Sequence, residues 1–518
     1  MSGLDALFIN PSDQKAVYQD LSADLTALEP PVWCRLLASY VKGKGYSADI
    51  WDMQIDSSLA ALKDFIEVSD PRLVVVVVHG NQPSASTQTM PAAVALCKFL
   101  KQNFPDHPLL VVGGHPAALP ERTFIETGAD FICTGEGPTT IGKLLEYIDD
   151  NSKSPLEFNL NVPGLYFIGC KNSNAPVIMK TKPTLNLLDL NEMPGGCWDL
   201  LPMDKYRAHV WHCLQETARK LYASIYTSLG CSFACDFCMI QSQFRAGDAL
   251  RLKGNANSYR MWPAEIIGNE IEALVEKYGV TNIKIADEMF WLNRNHVSRI
   301  LDEILKRGYG DKMNFWFYSR VDTIGDDDTL LDKARLAGMK WAALGIEALS
   351  NEVRDGVDKA NYGAADIFKT VDKLRSHGIN VIGNYIFGLP GDTAESMQQT
   401  LDLALELNTE FANFYCAMPY PGSKLYADVA AKNPEHLPPS WLAYSQHSYE
   451  TQPLPTATLS AAEVLEFSDD AFRAYFTNEN YLAMIQRKFG DAAVEQIKAM
   501  AVRRLPRRLL DEKEFRCA

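Results

Sequence analysis

Over the first 150 residues, short apolar runs recur between amphipathic stretches: "LDALFIN" at 4–10, "ADIWDM" at 48–53, "LVVVVVHG" at 73–80, "LLVVGG" at 109–114 and "FICTG" at 131–135. Apolar runs of this length, spaced by helical periodicity, read as buried strands joined by helices. Five of them predict a doubly wound parallel sheet. Ligands of such sheets sit beyond the carboxyl ends of the strands. There the sequence places "GNQPSAST" after the third strand, "GGHPAALPE" after the fourth and "GEGPTT" after the fifth. Three glycine-bearing loops on one edge predict room for a bulky cofactor.

Residues 151–215 read as a connector with a hairpin at "GLYFIG" (164–169) and "PVIMK" (176–180). From 216 to 430 the alternation resumes, with strands expected at 221–229, 281–287, 313–318, 341–346, 380–387 and 410–417. One intervening helix, "WPAEIIGNEIEALVEKYG", sets Ile267, Ile271, Leu274, Val275 and Tyr278 on one face, with Pro263 in the first turn and Gly279 as its stop. Six strand-helix units predict an incomplete parallel barrel that works at the carboxyl ends of its strands. Residues 431–518, after the break "PEHLPPSW", are mostly helical and read as a small C-terminal domain. The α/β chain thus divides into 1–150, 151–215, 216–430 and 431–518.

Composition narrows the function. A chain of 518 residues, 47% hydrophobic and 22% charged, buries sizeable cores, and its net charge of -15 argues against nucleic-acid binding, which works by neutralising phosphates. The longest aliphatic run, 73–78, falls far short of the roughly 20 residues of a membrane span. "MSGLDALFINPSDQ" carries no basic region followed by an apolar one, so the expected location is the cytoplasm. Eleven cysteines, an odd number without secretory context, point to reduced thiols and metal ligands over a disulfide framework.

Three of those cysteines, Cys231, Cys235 and Cys238 in "GCSFACDFC", directly follow the first barrel strand. A structural zinc site takes four ligands, usually as spaced pairs, and here the next cysteine downstream is Cys416. Three thiolates suit an iron-sulfur cluster that keeps one iron open to an exogenous ligand.

The run "CSFACDFC" resembles the CxxxCxxC signature of the radical S-adenosylmethionine (radical SAM) enzymes, and its place after the first strand of a six-unit barrel matches that family. The resemblance implies that Cys231, Cys235 and Cys238 hold a 4Fe-4S cluster whose fourth iron chelates SAM. Cleavage of SAM then yields a 5'-deoxyadenosyl radical, with the electron supplied by a donor such as flavodoxin or ferredoxin. By position, Phe237 resembles the aromatic residue whose backbone meets the adenine, and Glu288 the acidic group that meets the SAM amine, although Ala286 and Asp287 replace the family's glycines there. Arg320 and Glu347 lie where the family makes ribose and carboxylate contacts, a buried ion pair being the alternative. Asn384 and "FGLPGDT" resemble the fifth-strand wall of the SAM site.

A doubly wound, flavodoxin-like domain ahead of such a barrel resembles the cobalamin-binding branch of the family, best known for methyltransferases. Gly113 and Gly114 match its glycine pair, Ser84 or Ser86 its serine after the third strand, and Gly135, Glu136 and Gly137 its last loop. The loop after the first strand, "INPSDQKAVYQ", lacks the DxHxxG histidine, which implies cobalamin with no histidine below the cobalt. His115 reads as a nucleotide-tail contact, with Asn81 and Gln82 as occupants of the lower face. The two cofactors together imply methylation of an unactivated carbon of a small molecule. Tyr385, Tyr415, Cys416 and Tyr420 are candidates for the substrate wall, core packing being the alternative. Ring closure or rearrangement with the same cofactors stays open. Methylthiotransfer needs three N-terminal cluster cysteines, and Cys34, Cys97 and Cys133 lie in helix and strand patterns that favour buried thiols.

Overall fold

The structure, a computed structural model, describes residues 3–80, 83–150, 162–170, 176–183, 187–214, 216, 218–245, 258–359 and 362–517. Five parallel strands, β1 (Ala6–Asn10), β2 (Ala48–Asp52), β3 (Leu73–Val78), β4 (Leu109–Gly113) and β5 (Phe131–Cys133), form the N-terminal sheet in the order β2-β1-β3-β4-β5. That order is the flavodoxin-like arrangement of doubly wound folds. β3, "LVVVVV", is buried at all six positions because it is central and helices cover both faces, and β-branched side chains suit that pleat. The expected hairpin is present as β6 (Leu165–Cys170) and β7 (Pro176–Lys180), and it pairs antiparallel onto β5, extending the sheet to seven strands.

The second sheet is the partial barrel: β8 (Tyr222–Ile225), β9 (Asn282–Ile285), β10 (Asn314–Arg320), β11 (Met339–Glu347), β12 (Asn380–Phe387) and β13 (Phe411–Cys416), all parallel and in sequence order. All six expected strands are found. The helix Ala264–Tyr278 before β9 buries Ile267, Ile271 and Leu274 and ends on Gly279, whose φ of 65° closes the last turn as only glycine does easily. The C-terminal helix Ala461–Phe476 packs on β13, followed by Glu479–Phe489, Asp491–Ala501 and Arg508–Cys517. Before them, Trp441 donates its indole N–H to Glu126 and lies under Arg122, so the C-terminal segment also braces the N-terminal domain. No helix of the described residues is long and apolar enough to cross a membrane.

The two sheets meet through their carboxyl edges. Trp33, opening the helix Val32–Gly43 after β1, stacks on His79 at the end of β3 with centroids 4.3 Å apart. Its other side meets the edge of Tyr226, just past β8, at 6.3 Å. One continuous apolar core runs from the inner face of the N-terminal sheet into the barrel.

Candidate functional site

The cysteine loop leaves β8 through Gly230 (φ 81°), where a Cβ would run into the Ser258 backbone. Ser258 Oγ accepts from the Cys231 amide at 3.3 Å and donates to Gln241 Oε1 at 2.6 Å, while the Gln241 amide returns to the Cys231 carbonyl. Burial pushes the Cys231 thiol up to about 12, and burial with the neighbouring Cys235 pushes Cys238 up to about 11. These thiols become ligands only with a metal present to draw off their protons. Among the described residues no three His, Cys, Asp or Glu side chains converge on a single metal ion. Thiolates that each take a different iron of a cube need not converge.

Around this loop the barrel rim is charged. Glu288, just past β9, keeps Oε2 buried without a hydrogen-bond partner, and burial followed by the nearby Asp287 pushes its carboxyl up to about 8. Asp287 instead ties two strand ends together, accepting from Thr227 N (2.6 Å), Thr227 Oγ1 (2.5 Å) and Ser228 Oγ (2.6 Å). Arg320 ends β10 in a bidentate pair with Asp322, 2.9 Å at both contacts, lies 3.7 Å over the Phe233 ring and points Nη1 at Cys235 Sγ, 3.6 Å away. Glu347 is a non-glycine residue at φ 65°, set by a register shift where β11 meets β12, and it is ion-paired with Lys359 at 2.5 Å. Lys359 also stands 5.8 Å over the Phe237 ring. Asn384 donates to the Leu344 carbonyl and accepts from Asn413. The chemistry fits a cluster with SAM: three thiols at the strand end, and one buried carboxyl oxygen left over, whose ionisation an ammonium group would favour.

The glycine edge of the N-terminal sheet is packed differently. Gly113 approaches β3 so closely that a Cβ would meet the Val78 carbonyl oxygen, and a Cβ on Gly137 would lie 2.8 Å from Val112. Gly114 sits against Met239, the residue after Cys238, whose Cε lies 2.6 Å from where its Cβ would be. Thus the glycine loop and the cysteine loop touch. His115 is wholly buried, with Nδ1 3.1 Å from the Pro421 carbonyl. Ser86 Oγ accepts from the Gly80 amide. Gly135 is buried, while Glu136 pairs with Arg260 and accepts the Leu188 amide at 3.0 Å. Asn81 and Gln82 lie outside the described residues, as does the Ser84 side chain. Several buried polar atoms here lack partners: His79 Nε2, Thr87 Oγ1 and both amide atoms of Gln243. Burial, then His115, pushes the His79 imidazole down to about 3, so it is neutral. Unpaired, uncharged donors and acceptors beside glycine loops fit an amide-rich cofactor such as cobalamin.

Within the barrel, Ser224, Lys284, Trp316 and Trp341 are paired neighbours in one inward layer. Glu29, from the N-terminal domain, reaches into it, accepting from Ser224 Oγ at 2.6 Å and pairing with Lys284 at 3.3 Å and His209 at 3.6 Å. Burial would raise the Glu29 carboxyl, but Lys284, His209 and Ser224 together outweigh it and take it down to about 2. Above this floor Tyr18, Tyr318, Tyr415 and Tyr420 keep part of their surface open although protein surrounds them, and burial raises all four phenols. The four phenols lie close enough to one another to interact electrostatically. Tyr385 and Cys416 point the other way: Tyr385 is buried and stacks on Phe414 at 5.3 Å, and Cys416 packs on Met418, Val464 and Leu465 under the C-terminal helix. Sequence reading missed Glu29, Lys284, Lys359, His79 and Gln243. Only Lys284 carried a local signal, a lone cation in "NIKI" between apolar neighbours that point outward.

Cys34 and Cys133 lie in the core on one face of the N-terminal sheet and Cys97 on the other, so they form no joint site. The sequence matches the radical SAM superfamily over residues 225–404 and the B12 binding domain over residues 18–145. It is 26% identical over 408 residues to an uncharacterized methyltransferase of Pyrococcus horikoshii, covering 78% of this chain and 79% of that protein. It is 25% identical over 484 residues to the anaerobic magnesium-protoporphyrin IX monomethyl ester cyclase of Rubrivivax gelatinosus, covering 92% of this chain and 78% of that one. Among solved structures, the radical S-adenosylmethionine methyltransferase TsrM of Kitasatospora setae, with cobalamin and a 4Fe-4S cluster bound, matches with a TM-score of 0.63 at 16% identity. That match covers 83% of this chain and 75% of TsrM and speaks to the fold. Carrying both domains in tandem, the chain belongs to the cobalamin-binding radical SAM enzymes, whose cofactors are a 4Fe-4S cluster, SAM and cobalamin.

Proposed function

We infer that the protein methylates an unactivated carbon of a small molecule held beside the cluster of Tyr18, Tyr318, Tyr415 and Tyr420. The observation that carries this reading is the direct packing of Gly114 on Met239, which brings the glycine loop of one domain against the cysteine loop of the other. When bound, SAM on the cluster supplies a radical able to take hydrogen from such a carbon, and cobalamin supplies the methyl group. Cys231, Cys235 and Cys238 hold the cluster. Glu288, with one oxygen short of a partner, would receive the SAM ammonium group, and the Phe237 backbone would meet the adenine. Arg320 and Lys359 compensate negative charge beside Cys235. Tyr318 and Tyr415, with Tyr18 from the facing domain, exclude water and orient the substrate over the Glu29–Lys284 floor. The electron comes from a flavodoxin or ferredoxin type of donor, and the working place is the cytoplasm.

Ring closure is the second reading, favoured by the likeness to a cyclase over 92% of the chain. One experiment separates the two. The chain, reconstituted anaerobically with iron, sulfide and cobalamin, is incubated with methyl-labelled SAM, a reductant and cell extract. Methylation puts label on a product carbon together with 5'-deoxyadenosine. Deoxyadenosine without a labelled product overturns methylation in favour of ring closure.

A further inference from the structure

Gln243 stands five positions after Cys238, in the short turn Gln243–Arg245 of the barrel domain, and is 3% exposed. Both ends of its carboxamide are buried without a hydrogen-bond partner. Such an amide opposes folding unless something beyond the chain bonds it. Its surroundings are those of the neighbouring domain. Oε1 lies 3.8 Å from the position a Cβ would take on Gly114, and Ser242 donates to the Gly114 carbonyl at 3.3 Å. Ser242 Oγ also lies 2.7 Å from the Cβ position of Gly422, which at φ 96° turns the chain after β13 back toward the same spot. Across the glycine edge, His79 Nε2 and Thr87 Oγ1 are likewise buried and unpaired. None of these groups is charged at neutral pH. A phosphate or carboxylate calls for cations or several converging N–H groups. A carboxamide, which donates and accepts at once, matches another amide.

We propose that Gln243 is a cobalamin contact supplied by the radical SAM domain, its carboxamide bonding an amide arm of the cofactor that runs along the Gly113–Gly114 loop. The inference rests on the reading that the N-terminal domain binds cobalamin. It adds that the cofactor is gripped from both sides, and that the grip comes from the same loop as the cluster cysteines. Met239 lies between them on Gly114 as an apolar wall.

The test uses the full chain, with the cluster reconstituted under anaerobic conditions and hydroxocobalamin titrated by absorbance, comparing wild type with Gln243→Leu. Iron content and the melting temperature without cobalamin are recorded for each. The expected result is a cobalamin Kd weakened about tenfold or more in the variant, as for the loss of a buried hydrogen-bonding partner. Iron content is unchanged, and melting without cobalamin is no lower than in wild type, since an unpaired amide has been removed. Equal affinity in the two proteins overturns the proposal. So does weaker affinity accompanied by lower melting without cobalamin, because a packing role alone produces that. Gln243→Glu provides an isosteric check: with its donor gone, it also binds more weakly than wild type, and full affinity there overturns the contact. Failure of wild type to bind cobalamin overturns the underlying reading instead, and so the two failures are distinguishable.

Discussion

The carboxyl edges of the two sheets are built from the same kind of strand and loop, yet their polar groups differ in kind. At the N-terminal edge the buried atoms without partners include those of Trp33, His79, Thr87 and, reaching over from the barrel domain, Gln243, all uncharged. At the barrel edge, 4% of Arg320, 6% of Glu347 and 8% of Lys359 is exposed, and Glu288 has an oxygen to spare. Taking charge out of water is costly without compensation, whereas an amide needs only a complementary amide. On the reading proposed above, the difference matches two ligand classes: an amide-studded macrocycle on one side, and a thiolate-bound cluster with SAM on the other. Where the two halves meet, Glu29 of the one is ion-paired with Lys284 of the other.

The largest expected effect tests whether the edges load independently. Cys235→Ser takes away a thiolate from one edge and leaves the glycine loops untouched. Iron and sulfide bound after reconstitution should drop to a small fraction of the wild-type value and 5'-deoxyadenosine production should vanish, while cobalamin is still bound. Loss of cobalamin binding as well would mean that the two edges act as one unit. Next in size is the shared floor. Glu29→Gln removes the carboxylate that faces Lys284, which costs about 3 kcal/mol by the displacement of the Glu29 carboxyl from 4.5 to about 2. Because its folded value is depressed, the contribution is complete above pH 4.5 and fades as pH falls toward 2. Denaturant midpoints of the two proteins should therefore differ most at pH 7 and converge between pH 4.5 and 2; a gap that persists at acid pH sinks the assignment. A smaller effect is expected from Arg320→Lys, which gives up the N–H directed at Cys235 and the bidentate pair with Asp322. Losing a hydrogen bond to a cluster sulfur should move the reduction potential to a more negative value, on the order of 40 mV, measured by titration of the cluster's electron paramagnetic resonance signal.

The same contrast governs how far the sequence could be read. All eleven principal strands were legible because runs such as "LVVVVV" and "NVIGNYIF" must be buried whatever their neighbours, and the cysteine run carries its spacing in the chain. Groups whose role depends on a distant partner were not. Glu29 meets Lys284 across 255 positions, and nothing in "ALEPP" foretells a carboxylate inside a barrel. Gln243 acquires meaning only once Gly114 is seen beside it. The direction in which a strand residue faces was hidden as well, because it follows from register, and β11 slips by one residue against β12 between Gly345 and Glu347.

Tyr385 and Tyr415 show what that hidden parity decides, and they give the smallest expected effect. Both are aromatic residues on adjacent barrel strands, and sequence alone ranks them alike as substrate wall. In the fold Tyr415 is partly exposed and lies near Tyr318 and Tyr420, whereas Tyr385 turns outward onto Phe414 with its hydroxyl unpaired. Removing an unpaired buried hydroxyl costs little or stabilises, so Tyr385→Phe should shift the denaturant midpoint by at most about 0.5 kcal/mol and leave KM alone. Tyr415→Phe should likewise spare stability but raise KM severalfold for any substrate that meets its hydroxyl, the loss of one hydrogen bond being worth about 1 kcal/mol. If both variants change KM, the substrate site extends past β12 and the inward layer drawn from the register is wrong. If neither does, the substrate lies nearer the cobalamin edge, and the phenols only keep water out.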